Sequence, residues 1–286
     1  MGYYNDSNVV RKLFTGNKHP ATFLNFSYKF GVPIVFLRPE NSSSYKLSDF
    51  MNWSQLFTSS IGKKIVMGIT GLFLVSFLVV HVGVNACIFK DVFDPADDGD
   101  MFNRAADFMG KTVVIRIMEV VLFAGFFVHI IQGLVLEFEN RSKRKIGYEI
   151  SMGNRGSKWY SRSMGLLGTI LLLFLLLHWW HFWIPSRFTH AGLETPILLS
   201  NGRVSHDMFH LMKATFSEWW IVIVYVVGCV SLAWHLMHGF QSAFRTLGVH
   251  NKKYMVLINA VGVGFSIIVP LIFALMPISF KLGWIG

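Results

Sequence analysis

The histidines are the residues of this chain whose types and positions favour chemistry. Of eleven histidines, six fall within or at the ends of long apolar segments: His81, His129, His178, His181, His235 and His238. Ionisable side chains inside a membrane are costly and usually functional. One buried histidine is more often structural, but one on each of four consecutive segments is harder to explain by packing. Because neutral imidazole is a good axial ligand for iron, the pattern indicates haem binding.

The elements that carry these histidines are five stretches almost free of charge. They lie at about 65–88, 113–138, 164–184, 219–244 and 255–280. Each is long enough to cross a hydrocarbon core of ~30 Å as a helix. The chain is 15% charged, below the ~25% of soluble domains. Uninterrupted apolar runs favour helices over barrel strands, which alternate with period two. We predict an all-α integral membrane protein, a five-transmembrane-helix bundle enclosing two haem b groups over residues 59–286.

The basic residues gather in the loops on one side of such a bundle. They are Lys63, Lys64, Arg141, Lys143, Arg144, Lys145, Arg155, Lys158, Arg162, Arg245, Lys252 and Lys253. The loop after the first segment is instead rich in aspartate. The positive-inside rule predicts a cytoplasmic N-terminus and an outer C-terminus in the cytoplasmic membrane. The net charge of +10 is thereby explained without a nucleic-acid partner.

Residues 1–58 differ in character and are predicted to form a cytoplasmic tail. They contain Pro20, Pro33 and Pro39. They lack the uninterrupted apolar stretch that a signal peptide would have. Met51 begins a shorter alternative start, Met51-Asn52-Trp53-Ser54. Residues 1–50 are therefore interpreted as a tail or as an upstream extension.

Depth arranges four of the histidines in two layers. With a rise of ~1.5 Å per residue, His81 and His178 lie about 24 Å and 21 Å from the cytoplasmic starts of their helices. The second and fourth helices run inward, so His129 and His235 lie in the inner half. When two histidines occupy both axial positions of a haem iron, no position stays open for oxygen, and the haem favours electron transfer over oxygen chemistry. Two such haems would relay electrons across the membrane.

Each layer has an alternative ligand. His129 and His235 each begin a His-x3-Gly motif, which ends at Gly133 and Gly239 respectively. A glycine one helical turn after the histidine lies on the same face and leaves room for the edge of the haem macrocycle. That favours His235 over His238. Depth favours His178 over His181, which lies nearer the surface and is placed to meet a quinone or a propionate. Both alternatives stay open.

Polar and aromatic neighbours suggest further site residues. Arg116 and Glu119 form either an i,i+3 ion pair or a functional pair. In the functional interpretation, Arg116 neutralises a haem propionate and Glu119 is a protonatable group near a quinone. Trp179 belongs either to an interfacial aromatic belt or to a quinone-stacking site.

Several passages resemble a known family. They are Ser59-Ser60-Ile61-Gly62-Lys63-Lys64, Gly71-Leu72-Phe73, His81-Val82-Gly83-Val84-Asn85, Phe102-Asn103-Arg104-Ala105-Ala106-Asp107-Phe108-Met109, His129-x3-Gly133, and the run from Trp234 to Phe244. Their order resembles the single-chain, di-haem cytochrome b anchor of succinate:quinone oxidoreductases, which comprise succinate dehydrogenase and fumarate reductase. The resemblance covers about Ser59 to the C-terminus.

The resemblance implies two b haems, with His81 and His178 on the distal haem and His129 and His235 on the proximal one. It implies a flavoprotein subunit and an iron–sulfur subunit on the cytoplasmic face, which alone carry FAD and the iron–sulfur clusters. Succinate chemistry then lies outside this chain, and a quinone, expected to be menaquinone, reacts in or beside it. An acidic residue at the outer end of the second helix takes part in some members, and Asp107 is the nearest match.

Two other functions are compatible with the pattern. One is a di-haem b cytochrome that serves a formate dehydrogenase or a hydrogenase. The other is a haem-free transporter with histidines in a proton path. Transporters often have broken helices, whereas the first four helices contain no proline before Pro185.

Overall fold

The computed structural model describes residues 53–143 and 159–285. The tail over residues 1–52 and the basic residues at 144–158 lie outside the described residues. The helices are α1 (Trp53–Thr58), α2 (Ser60–Asn85), α3 (Lys90–Phe93), α4 (Asp100–Lys111), α5 (Val113–Lys143), α6 (Trp159–Arg162), α7 (Met164–His178), α8 (Met208–Thr215), α9 (Trp219–Thr246) and α10 (Lys252–Lys281). Short 3₁₀ turns at Ala86–Phe89 and Pro95–Asp97 flank α3. One hairpin joins β1 (Pro196–Leu198) to β2 (Val204–His206).

Within the described ranges, five helical segments are long and apolar enough to cross a membrane. They begin at Ser60, Val113, Met164, Trp219 and Lys252, so the predicted five-helix organisation is confirmed. Large apolar side chains on these helices face outward, as at Val113 (71% exposed), Leu173 (63%) and Val256 (70%). Soluble proteins rarely expose contiguous apolar surface of this kind, whereas lipid accepts it. The chain is a multi-pass membrane protein.

Two of the membrane helices begin several residues before the apolar stretches predicted from the sequence, at positions set by polar N-cap side chains. Helix α2 begins at Ser60 because the Ser59 hydroxyl accepts a hydrogen bond from the Gly62 amide at 3.0 Å. The Asn251 side chain caps α10 in the same way, accepting from the Lys253 amide at 2.9 Å. Both helices therefore start earlier than the predicted residues 65 and 255.

Helix α7 changes its winding directly after His178. Residues Trp179–Trp183 and Pro185–Thr189 are π-helical, with the Ile184 amide donating to the Trp179 carbonyl five residues back. Pro185 has no amide hydrogen to continue an α-helical ladder. Single π turns inside helices are frequent at functional sites. The predicted helix over 164–184 thus continues to Thr189 in altered form.

The long connection before α9 builds a cap with α4. The cap comprises α4, the β1–β2 hairpin and α8. The Asn103 side chain, 1% exposed as a residue, donates to Asp207 at 3.0 Å and accepts from the Phe209 amide at 3.0 Å. Phe209 packs over Gly99, which has a left-handed φ of 75° and leaves no room for a side chain. This hairpin and cap were not predicted from the sequence.

The best-packed core lies where the cap meets the ends of α9 and α10. Its members include Ile88, Phe102, Phe209, Phe216, Tyr225 and Phe280. We call this end of the bundle the capped end. The opposite end, here the basic end, carries the start of α2 and the end of α5, where Lys63 pairs with Glu139. The helices are therefore joined through a hydrophobic core at the capped end and through the Lys63–Glu139 ion pair at the basic end.

Candidate functional site

A cavity of about 2220 Å³ runs through the bundle between the helices. Lys64 and Arg162 line it at the basic end, and His206 and Met208 of the cap line it at the other. All four histidines predicted as haem ligands line this one cavity. Ordinary small-molecule sites measure ~300–1,000 Å³. The volume therefore suits more than one large group.

The first histidine pair lies toward the capped end and joins α2 to α7. The ring centres of His81 and His178 are 5.8 Å apart, and their planes are nearly perpendicular at 87°. Phe77 stacks on His81 at 5.1 Å, and Phe174 stacks on His178 at 5.9 Å. Asn85 donates to the His81 carbonyl at 2.8 Å, and its amide nitrogen lies 3.3 Å from the His81 Nδ1. The His178 Nδ1 is buried and has no hydrogen-bond partner in the described chain.

The second pair lies toward the basic end and joins α5 to α9. The ring centres of His129 and His235 are 6.4 Å apart at an interplanar angle of 66°. The Thr70 hydroxyl lies 3.1 Å from the His129 Nδ1. A side chain at Gly71 would begin 3.4 Å from the His129 ring, so this glycine lets the imidazole lie close against α2.

The ring-centre spacings of both pairs are compatible with two ligands on one haem iron. Two imidazoles on opposite sides of a metal, each with a bond of ~2 Å, place their ring centres about 6 Å apart. Thr70, which contacts the second pair, precedes His81 by eleven positions on α2, so the layers are separated by ~16 Å along the helix. In residues 53–143 and 159–285 no group of three or more His, Cys, Asp or Glu residues could hold a bare metal ion. Two axial histidines suffice for a haem because the macrocycle supplies the other ligands.

The alternative histidines have other surroundings. His181 hydrogen-bonds through Nδ1 to the Tyr225 hydroxyl at 3.0 Å and stacks on the same ring, with planes 8° apart. His181 is not among the residues that line the cavity, whereas His238 is. His238 lies almost one turn beyond His235 toward the basic end. The structure thus brings His178 into a histidine pair and places His181 against a tyrosine.

The glycines of the two His-x3-Gly motifs line the cavity. A side chain at Gly239 would meet nothing within 4 Å, and one at Gly133 would approach only the Met67 methyl group at 3.7 Å. Both positions therefore border open space beside the histidine layer.

A charged cluster centred on Glu119 lies in the cavity wall toward the capped end. Glu119 accepts from the Trp183 indole at 2.6 Å and from the Arg187 guanidinium at 3.1 Å. Arg116 donates to the other carboxylate oxygen at 3.1 Å, so the i,i+3 ion pair is present. Arg187 was not predicted as a site residue; it is 68 positions from Glu119 and lies on the π-helical segment. No local spacing links the two residues, so only the fold reveals the contact.

The Trp179 ring lies beside this cluster. Its ring centre is 4.9 Å from that of Phe123, and Trp183 contacts the same phenylalanine at 4.7 Å. Trp179, Trp183 and Arg187 recur every four residues and all contact α5, the two tryptophans at Phe123 and the arginine at Glu119. Trp179 therefore presents an aromatic surface to the cavity rather than only to lipid.

Asp107, the other predicted acidic candidate, belongs to the cap. Its side chain is 1% exposed and forms ion pairs with Lys111 at 2.6 Å and with Arg203 at 3.0 Å. Burial by itself raises the pKa of this carboxyl. The positive charges of Lys111 and Arg203 help to outweigh burial and hold the pKa below its ordinary value. Asp107 therefore stays ionised and ties α4 to the hairpin at the mouth of the cavity.

Fold and site together define a multi-pass α-helical membrane protein whose interior cavity carries two histidine pairs at different depths. Comparison of the chain with protein-family models, with curated proteins and with solved structures gives no match.

Proposed function

We propose that this chain is the di-haem cytochrome b membrane anchor of a succinate:quinone oxidoreductase. It would pass electrons between the iron–sulfur centres of a partner subunit and a membrane quinone. The observation that carries the proposal is the occurrence of two histidine pairs, each spaced for one iron, in a single cavity. The named family rests on the sequence passages from Ser59 onward, while haem binding rests on the geometry.

The four histidines would act as axial ligands, with His81 and His178 on one haem b and His129 and His235 on the other. Each bound haem would supply a one-electron redox centre with both axial positions filled. Phe77, which stacks on His81, would exclude water from one layer and hold the imidazole plane. The chain's own residues thus bind and orient, and they leave no open position for substrate at the iron.

Glu119 and its neighbours support a quinone site at the capped end. Arg116 and Arg187 offer cationic donors there, and Trp179 offers a flat apolar surface. Glu119 would hold or release the proton that accompanies quinone reduction or quinol oxidation. In the proposed orientation this end faces outward, with menaquinone as the expected quinone.

The basic end suits a docking face for partner proteins. Arg141 is 68% exposed in its side chain, and Lys64, Arg245 and Lys252 are exposed around the same rim. The partners would be a flavoprotein with FAD and an iron–sulfur protein on the cytoplasmic face. Succinate oxidation or fumarate reduction would take place entirely in those subunits.

Two measurements test the proposal at its two levels. A pyridine haemochrome assay on the purified chain should give two b haems per polypeptide, and a haem-free, folded protein would refute both the haem sites and the family. Affinity purification of the native complex should recover a flavoprotein with succinate dehydrogenase activity. Recovery of a formate dehydrogenase or a hydrogenase instead would keep the di-haem cytochrome and refute the succinate assignment.

A further inference from the structure

Thr70 has no part in the proposed function above, yet its side chain contacts one of the proposed haem ligands, His129. It lies inside α2, one position before Gly71, and its hydroxyl donates to the Val66 carbonyl at 2.7 Å. Threonines in helices commonly form such a bond to the carbonyl four residues back. That habit explains the bond to Val66. It does not explain the His129 Nδ1 at 3.1 Å from the same oxygen.

The hydroxyl has a single hydrogen, which fixes the direction of the second contact. Because the shortest contact of the hydroxyl is to the Val66 carbonyl, at 2.7 Å against 3.3 Å to the Met67 carbonyl, we assign the hydrogen to the Val66 bond. The Thr70 oxygen then accepts from the imidazole. The His129 Nδ1 must then carry the ring hydrogen, and Nε2 is left with its lone pair. Nε2 is thereby prepared to bind a metal before any metal arrives.

The other three predicted ligands lack this arrangement in the described chain. The Nδ1 atoms of His178 and His235 have no hydrogen-bond partner, and that of His81 faces an amide nitrogen of Asn85. Among the four imidazoles, His129 is the one whose Nδ1 meets an oxygen acceptor. Gly71 completes the cradle by leaving the Cε1 side of the ring free of a side chain.

From this geometry we propose that Thr70 is a positioning residue, which fixes the tautomer and plane of His129 and increases electron donation from its Nε2. The inference rests on the proposed haem function. Partners of this kind orient the ligand and raise its basicity, and their loss typically costs ~10–100-fold in metal affinity. A more basic imidazole favours ferric over ferrous iron. Thr70 therefore lowers the potential of the haem held by His129 and His235.

The test compares Thr70→Val with Thr70→Ser in the purified full-length chain. Valine keeps the branched shape and removes the acceptor, whereas serine keeps the acceptor. Thr246→Val is the matched control, because Thr246 is also partly buried and donates to a carbonyl four residues back, at 2.9 Å, without a histidine contact. If Thr70→Val weakens binding of the ferric haem ~10-fold relative to the ferrous haem, redox titration of this variant should show one of the two haem potentials raised by about 59 mV. Serine and the control should leave both potentials at wild-type values.

A second background identifies the layer. In His235→Ala, which removes one ligand of the same pair, Thr70→Val should no longer shift the remaining potential. A shift that persists there, or wild-type potentials in Thr70→Val, would overturn the inference. Nitrogen chemical shifts of labelled histidine, measured on haem-free protein, give a readout independent of haem. They should show Nδ1-protonated His129 in the wild type and a tautomer mixture in Thr70→Val. Nε2-protonated His129 in the wild type would refute the positioning role, while absence of haem with the expected tautomer would refute only the proposed function.

Discussion

Separate replacement of His178 and of His181 by alanine tests which of these two histidines, less than one helix turn apart, is the haem ligand. His178→Ala removes one of two imidazoles whose ring centres are 5.8 Å apart. A single remaining ligand does not hold a b haem firmly, so the haem content should fall from two to one per chain. The second pair lies ~16 Å away along α2 and should keep its haem. His181→Ala should keep both haems, since His181 does not line the cavity.

The expected cost of His181→Ala is one of stability and follows from its contacts with Tyr225. The hydrogen bond at 3.0 Å contributes about 0.6–1.5 kcal/mol in a membrane protein. The parallel ring stacking contributes a further 0.5–1.5 kcal/mol or so. The variant should therefore lose roughly 1–3 kcal/mol of unfolding free energy. Tyr225→Phe keeps the stacking and loses only the hydrogen bond, so about 1 kcal/mol is expected.

The assay is haem quantification by pyridine haemochrome, combined with thermal unfolding in detergent. Two haems in His178→Ala together with one in His181→Ala would refute the assignment of the ligand. Loss of both haems in His178→Ala would refute the independence of the two layers. Wild-type stability in Tyr225→Phe would show that the hydrogen bond at 3.0 Å contributes nothing measurable.

Three further substitutions test other parts of the site. Gly239→Leu places a side chain where nothing lies within 4 Å, so the protein should fold and yet lose one haem; full haem content would contradict the proposed macrocycle position. Glu119→Gln should keep both haems and reduce quinone turnover of the complex by ~10²-fold or more, and unchanged turnover would remove Glu119 from proton transfer. Asp107, with its lowered pKa, should stabilise the cap fully above the ordinary value of 3.8 and progressively less as pH falls through its folded value. Thermal unfolding from about pH 7 to about pH 3 should show this loss in the wild type and not in Asp107→Asn, and equal pH profiles would contradict it.

The membrane explains why the helices and the histidine layers were predictable. Lipid forces every backbone group of a spanning segment to bond internally, so an apolar run becomes a helix of known rise. Depth then follows from residue number alone. His81 was matched with His178, and His129 with His235, by this calculation, and the same residues lie in pairs in the folded chain. The choice of His178 over His181 needed more, because it depends on which side of the helix faces the cavity.

The cap was not predictable for a different reason. Its stability comes from polar contacts between distant positions, such as Asn103 with Asp207, 104 residues apart, and Asp100 with Ser200, 100 residues apart. No hydropathy window or local motif detects a bond across such a separation. The same limit hid Arg187 from the sequence analysis, since its partner Glu119 lies on another helix.

The cap also makes the two ends of the cavity electrostatically different. At the capped end the side chain of Glu119, 19% exposed, lies between two arginines in the cavity wall, and that of Arg187 is 22% exposed. At the basic end the cationic rim is exposed, so water and salt screen its charges. Charges under low-dielectric cover act more strongly on a neighbouring redox centre than exposed ones. In redox titration, substitutions at Arg187 should therefore move the potential of the haem proposed at His81 and His178 more than substitutions at Arg141 move that of the haem proposed at His129 and His235, although both residues are single positive charges.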